Sequence, residues 1–277
     1  DLYNNSFDKI MTVSKPNNLD DCEIISDTLY DIKKRHSNVH IDVGKGVQEW
    51  VDIDSSFKNK LDVNYFLDKF YMSRIGIRTL IGQYVSVFND DDMGVIYNCS
   101  PREIIESSII SGQEICDMEY GDSPNINING GENFTFNYIP SHLYYITFEL
   151  LKNAMKATVE FDIHNMKDIE VYISEGSTDL IIKISDFGGG FSRNNLDKVF
   201  SYSYTTTSNT IINDAYPIHH SNYERKPILS GLGYGVPLSK LYCKYFQGDL
   251  KIIPYEGIGT DALIFINKIG DKNENIG

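Results

Sequence analysis

Cysteine is scarce and scattered in this chain. Cys22, Cys99, Cys116 and Cys243 form no C-x-x-C pair, which speaks against a disulfide framework or a cysteine-built zinc site and leaves four small hydrophobes for a core. Long apolar runs are missing too: no eighteen consecutive apolar residues occur, so no ordinary transmembrane helix is encoded. Basic residues are in deficit, 25 Lys and Arg against 39 Asp and Glu for a formal charge of -14. Such a chain lacks the positive footprint of a nucleic-acid binder. Its first residues, Asp1-Leu2-Tyr3-Asn4-Asn5, have neither the apolar run of a signal peptide nor the arginines of a transit peptide. No internal repeat at solenoid periods is visible, and the one tryptophan, Trp50, reads as a core or interface aromatic. What is present is 277 residues, 41% of them hydrophobic, enough for two domains with buried cores.

The strongest local signal is the stretch from His142 to Ala157. Leu143, Ile146, Leu150, Ala154 and Ala157 recur at three- and four-residue steps, an apolar stripe that fits a helix and not a strand. Ser141 after Pro140 offers an N-cap. Glu149 and Asn153 sit one turn apart on the same face, with Lys156 a further turn along. An Asn carbonyl is a hard oxygen ligand suited to Mg2+, and a carboxylate beside it can accept a proton or orient a nucleophile. Taken alone, the same spacing equally describes an amphipathic helix with a solvated polar face.

Three glycine motifs follow. Ile184-Ser185-Asp186-Phe187-Gly188-Gly189-Gly190 ends an apolar strand in a carboxylate and then in backbone that can approach a ligand closely. Gly231-Leu232-Gly233-Tyr234-Gly235-Val236-Pro237 opens a helix over about 238–246, where free N-H groups can hold phosphates. Gly259-Thr260-Asp261 begins the last apolar strand. Each motif is weak singly; their order and spacing carry the weight.

Elsewhere, periodicity predicts helices over about 18–35, 61–87 and 100–118, the last with a Ser100-Pro101-Arg102-Glu103 capping box. Alternation predicts strands at 125–129 and 134–139, joined as a hairpin by Gly130-Gly131. Further strands are expected at 169–174, 180–184, 249–254 and 262–266, and a helix at 194–202. Residues 203–230 are too polar and too long for a simple connection and read as a lid between two phosphate-binding motifs; His219-His220 within them read as solvated. The tail from Gly270 is polar. Helices leading into interleaved strands and helices make the class α+β, with a partial helical bundle over 1–119 and a mixed sheet covered by helices on one face over 120–277.

The motifs Glu-x-x-Lys-Asn-Ala, Asp-x-Gly-x-Gly, Gly-x-Gly-x-Gly and Gly-Thr resemble the four boxes of the GHKL ATP-binding superfamily with its Bergerat α/β sandwich. The wider wording, Phe-Glu-Leu-Leu-Lys-Asn-Ala-Met-Lys-Ala-Thr-Val-Glu, Phe-Ser-Tyr-Ser-Tyr-Thr-Thr and Leu-Tyr-Cys-Lys-Tyr-Phe-Gln-Gly-Asp-Leu, resembles the mitochondrial 2-oxoacid dehydrogenase kinases, pyruvate and branched-chain, from about residue 20 to 268. The resemblance implies ATP, Mg2+ and a K+ beside the nucleotide, and phosphorylation of the E1 alpha subunit in the mitochondrial matrix. It also implies contact with the E2 lipoyl domain and a homodimer, in a chain that starts inside the family's first domain.

By the same resemblance Glu149 is the catalytic base, Asn153 the Mg2+ ligand and Asp186 the adenine acceptor supported by Thr260. Gly231, Gly233 and Gly235 line the phosphates, Lys156, Gly188, Gly190 and Tyr234 complete the nucleotide site, and Arg74, Arg78 and Tyr84 mark a regulatory pocket. Two positions depart from the family: Tyr145 and Tyr84 stand where histidines are expected. Tyr145 cannot relay a proton near neutral pH as histidine does, so a nucleotide-holding pseudokinase is the rival reading. A mechanical ATPase would need a transducer segment after the last strand, and a histidine kinase a histidine in the 61–87 helix, which has none.

Overall fold

The computed structural model describes residues 2–13, 15–53, 60–88, 94–202 and 233–268. Four helices come first: α1 (Leu2–Thr12), α2 (Leu19–Arg35), α3 (Val39–Ile53) and α4 (Lys60–Phe88). The Asn18 side chain caps α2 by accepting from the Asp21 N-H, one of the amides a helix start leaves unpaired. Neither α1 nor α3 was expected from the sequence. Gly44 and Gly46 within α3 lower its intrinsic helix propensity, and tertiary contacts of Val39 and Ile41, both buried, override it.

After β1 (Tyr97–Cys99) comes α5 (Pro101–Tyr120). The predicted cap is in place: Ser100 Oγ accepts from the Glu103 N-H, Pro101 opens the helix, and Gly121 closes it at φ +81°, a conformation glycine adopts without steric cost. Then follow β2 (Ile126–Asn129), β3 (Phe136–Tyr138), the long α6 (Pro140–Phe161), β4 (Ile169–Glu175), β5 (Asp179–Asp186), a 3-10 turn (Arg193–Asn195) running into the short α7 (Leu196–Val199), α8 (Gly235–Tyr245), β6 (Asp249–Tyr255) and β7 (Gly259–Asn267).

The main sheet has the order β2-β4-β5-β7-β6, with β2 parallel to β4 and all other pairs antiparallel. The hairpin expected around Gly130-Gly131 does not form. Both glycines turn the chain with positive φ, but β2 joins β4, while β3 pairs antiparallel with β1, Tyr138 opposite Tyr97. Two glycines fix a turn; burial of Phe136 and Tyr138 decides the partner. In β5, Leu180, Ile182 and Ile184 point into the core and alternate with half-buried neighbours, the period of a sheet covered on one face. The covering layer is α5, α6 and α8: Ile105, Leu143, Ile146, Leu150, Leu151 and Cys243 share one core with those strands. Thus α5, inside the first segment of the 1–119 and 120–277 division, packs on the sheet side.

A second core joins Ile41 of α3 and Leu67, Tyr71 and Ile75 of α4 to Tyr202, Tyr234, Leu238 and Leu241. No described helix is long and apolar enough to cross a membrane.

Candidate functional site

α6 is the axis of the site. Of the predicted stripe, Leu143, Ile146, Leu150 and Ala154 are buried and Ala157 is half-buried, and Glu149 is buried with them, 2% exposed. A carboxylate at that depth needs a compensating partner, and Lys152 Nζ supplies one at 2.8 Å from Oε1. Both side chains of this ion pair are largely removed from solvent. On the other side, a Cβ built on Gly235 would overlap Glu149 Oε2, so the first residue of α8 lies directly against the carboxylate.

One turn before Glu149, Tyr145 lies 4.9 Å from Tyr242, centroid to centroid. Burial, then the Glu149 carboxylate, pushes its phenol well above the ordinary tyrosine range, so it stays protonated. His142, one turn earlier, does not replace the expected histidine. It is packed against Tyr242 at 4.7 Å, burial pushes its ring down to about 3, and its Nδ1 has no hydrogen-bond partner among the described residues.

Asn153 is exposed on α6, one turn beyond Glu149. Lys156 is partly buried and pairs with Glu160 at 3.7 Å.

At the far end of α6, the turn after β5 rests on the helix. A Cβ on Gly188 would meet the Ala157 main chain at 2.5 Å, and only glycine permits that approach. Gly189 accepts from the Gly257 N-H at 2.8 Å, which stitches this turn to the one joining β6 and β7. A Cβ on Gly190 would likewise strike the carbonyls of Tyr255 and Gly259. Asp186 ends β5 opposite Thr260 of β7. Its Oδ1 accepts from the Gly188 N-H at 2.9 Å and the Thr260 N-H at 3.1 Å, while Oδ2 takes no hydrogen bond from a described residue. Burial raises this carboxyl to about 6, against the two amides, which lower it. The result is a half-buried acceptor with one oxygen fixed by two amides and the other taking no hydrogen bond from a described residue, the arrangement that suits an exocyclic amino donor such as that of adenine. From Ala157 back to Glu149 is eight residues of helix, about 12 Å, with Asn153 midway.

Gly233 has φ +74° and Gly235 opens α8. The Tyr234 side chain does not line this cleft: it is fully buried, 5.9 Å from Tyr71 and 5.1 Å from Tyr202 between ring centroids. Its size and aromaticity suit the second core, which leaves only its main chain for phosphates. Gly231, the expected lid, His219, His220 and the tail from Gly270 lie outside the described residues.

The predicted regulatory trio does not converge. Arg74 Nη2 donates to the carbonyls of His36 at 2.7 Å and Ser37 at 3.1 Å, and Arg78 Nη1 donates to that of Lys33 at 3.1 Å; both close the C-terminal end of α2. Tyr84 lies six residues further along α4 and hydrogen-bonds Cys22; burial, then Cys22, raises its phenol. Arg74, Arg35 and Arg78 all act on His36, whose Nε2 lies 2.8 Å from Ser6 Oγ, and Arg35 Nη2 also donates to that hydroxyl at 3.3 Å. Ser6 Oγ already donates to the Leu2 carbonyl, so Nε2 carries the proton. Nothing in the sequence marked this pair, because Ser6 lies on α1, a helix the periodicity did not reveal.

Residues 1–106 match the family model described as mitochondrial branched-chain alpha-ketoacid dehydrogenase kinase, and residues 138–269 match that described as histidine kinase-, DNA gyrase B-, and HSP90-like ATPase. A protein of Arabidopsis thaliana named pyruvate dehydrogenase (acetyl-transferring) kinase, mitochondrial, is 38% identical over 251 residues, covering 88% of this chain and 68% of the relative. Its namesake in Schizosaccharomyces pombe is 39% identical, covering 88% and 59%. Isozyme 4 of the kinase in Rhinolophus ferrumequinum is 36% identical, covering 92% and 64%. The chain thus spans roughly three fifths to two thirds of these relatives' lengths.

Proposed function

This chain belongs to the family of mitochondrial pyruvate dehydrogenase kinases, and on that premise we propose that it is an ATP-dependent protein-serine kinase acting in mitochondria on the E1 alpha subunit of a 2-oxoacid dehydrogenase complex. The observation that carries the reading is the pairing on α6 of a buried carboxylate, Glu149, with an exposed amide one turn away, Asn153, next to the glycine-lined turn that holds Asp186. Asp186 Oδ2 would accept from adenine, with Thr260 holding the other oxygen through its amide. Gly233 and Gly235 would present main-chain N-H groups to phosphates at the start of α8.

Among the described residues no three His, Cys, Asp or Glu side chains converge on a metal position. Asn153 offers one hard oxygen, which fits Mg2+ completed by phosphate oxygens and water. Bound there, Mg2+ supplies charge neutralisation for phosphoryl transfer. Glu149 would orient the substrate hydroxyl and take its proton. Lys156 and the main chains of Gly188 and Gly190 border the same cleft. Arg74, with His36 and Ser6, is the part of the proposed regulatory pocket with a polar cluster around it. The two-part organisation is kept as proposed, 1–119 and 120–277, with α5 serving the nucleotide side. Contacts with the E2 lipoyl domain and pairing of two chains belong to the same proposal.

The test is transfer of radiolabel from ATP and Mg2+ to purified pyruvate dehydrogenase E1. Label on E1 alpha is expected; nucleotide binding without transfer would instead support the pseudokinase, the reading that Tyr145 in place of a histidine favours. Branched-chain E1 assayed alongside separates the two substrates, a choice raised by the description of the model that matches residues 1–106. Asn153→Ala should weaken nucleotide binding most in the presence of Mg2+ and leave metal-free binding nearly unchanged, because it removes a metal ligand and spares Asp186. Calorimetric titration with and without EDTA checks it, and equal losses in both buffers would contradict the division of roles.

A further inference from the structure

Burying Glu149 leaves each carboxylate oxygen facing a specific neighbour. Lys152 Nζ lies 2.8 Å from Oε1, the two side chains being 16% and 3% exposed. Gly235 lies against Oε2, which brings the unpaired amides and positive end of the eleven-residue α8 toward the carboxylate. The ammonium also sits 5.4 Å from the centroid of the Phe148 ring, a contact that restrains the lysine stem. Tyr145 on α6 adjoins Glu149 together with Tyr242 on α8, Tyr71 on α4 and Tyr202, Arg74 and Arg78 act on Tyr242, and burial pushes every one of those phenols above its ordinary range.

Lys152 is thus the cation that an ion pair ties to Glu149. A solvated pair at this helical spacing would contribute little. In a buried pair, removing one partner strands the other charge.

We infer that Lys152 is a positioning residue for phosphoryl transfer: it fixes the Glu149 rotamer against α8 and supplies the opposite charge that a buried carboxylate needs. It acts through Glu149 and not by touching substrate. The role rests on the kinase reading, and the experiment separates the two.

Lys152→Met keeps chain length without charge; Lys152→Arg keeps charge. Both are assayed with ATP, Mg2+ and purified pyruvate dehydrogenase E1 between pH 5.5 and 8.5. The Met variant should lose about 10- to 100-fold in kcat with the KM for ATP changed less than about two-fold. The acid limb of its kcat profile should move to higher pH, since a buried anion is left unopposed. Arg should restore most of the rate and the position of that limb. A Met variant with wild-type kcat and an unmoved limb overturns the role. Loss of ATP affinity in step with the rate does so as well, because that is what a merely structural lysine would give. A wild-type chain that binds ATP and transfers nothing sinks the kinase reading itself, and the positioning role with it. If Lys152→Met folds too poorly to assay, adding Glu149→Gln should restore folding by removing the stranded anion; failure to do so overturns the pairing.

Discussion

Glu149→Gln should transfer phosphate at least about 100-fold more slowly than the wild type while binding ATP with unchanged affinity. The amide is nearly isosteric with the carboxylate and can keep an oxygen toward Lys152, so the packing of α6 on α8 survives. What it loses is the capacity to take a proton from a serine hydroxyl. Tyr145 tests the same chemistry from the other side. Its phenol lies under the electrostatic influence of Glu149 and is held protonated by burial, so it can shape the site without relaying a proton. Tyr145→Phe should accordingly cost less than Glu149→Gln. Single-turnover transfer from ATP to E1 reads both. An unchanged rate in Glu149→Gln would reduce the residue to one half of a structural ion pair, and an ordering with Tyr145→Phe the more damaging would move proton handling to the phenol.

Asp186→Asn should abolish nucleotide binding, by at least about 100-fold with or without metal, and yet make the free chain more stable at pH 8. The binding loss follows from donor counting. Asn Oδ1 would still accept from the Gly188 and Thr260 amides, which turns an NH2 toward the adenine amino group where Oδ2 had been; a donor facing a donor costs both the lost bond and an unsatisfied group. Stability moves the other way because burial raises the folded carboxyl from 3.8 to about 6. With the folded value above the unfolded one, the folded chain holds the extra proton between those pH values, so stability falls as pH rises through about 6. Two units correspond to up to about 3 kcal/mol, a cost asparagine does not carry. Urea unfolding at pH 3, 5 and 8 checks it: the variant should gain little at pH 3, about half of the full effect at pH 5, where the unfolded carboxyl is already ionised, and most at pH 8. A variant destabilised at pH 8 would mean that the ionised carboxylate is well served by its amides. Nucleotide affinity of the wild type should weaken below about pH 6, because an amino donor favours the ionised acceptor.

Much of this site was legible because its parts are local. That Glu149 and Asn153 share a face of α6 follows from the helical period, that Asp186 ends β5 from a strand running into glycines, and the Ser100 cap from four consecutive residues; the roles proposed for the first three came from the family resemblance. What escaped was decided over long distances. The hairpin read around Gly130-Gly131 failed because β2 and β3 find partners in β4 and β1, choices made by core burial that turn residues do not encode. The place of the Tyr234 ring escaped for a related reason: glycines on both sides suggested a phosphate loop, whereas the ring is buried beside Tyr71, on a helix far earlier in the chain. Arg74 and Arg78 are correctly helical neighbours, but their partners are main-chain carbonyls of α2, and carbonyls have no signature in a sequence.

The two cores meet at α6 and α8. Leu143, Ile146 and Leu150 of α6 face the sheet, while Tyr145 of the same helix packs with Leu238 and Leu241 of α8 in the core that reaches α3 and α4. Neither side can melt without stripping apolar cover from helices the other needs, so heat should meet one cooperative unit and not two independent ones.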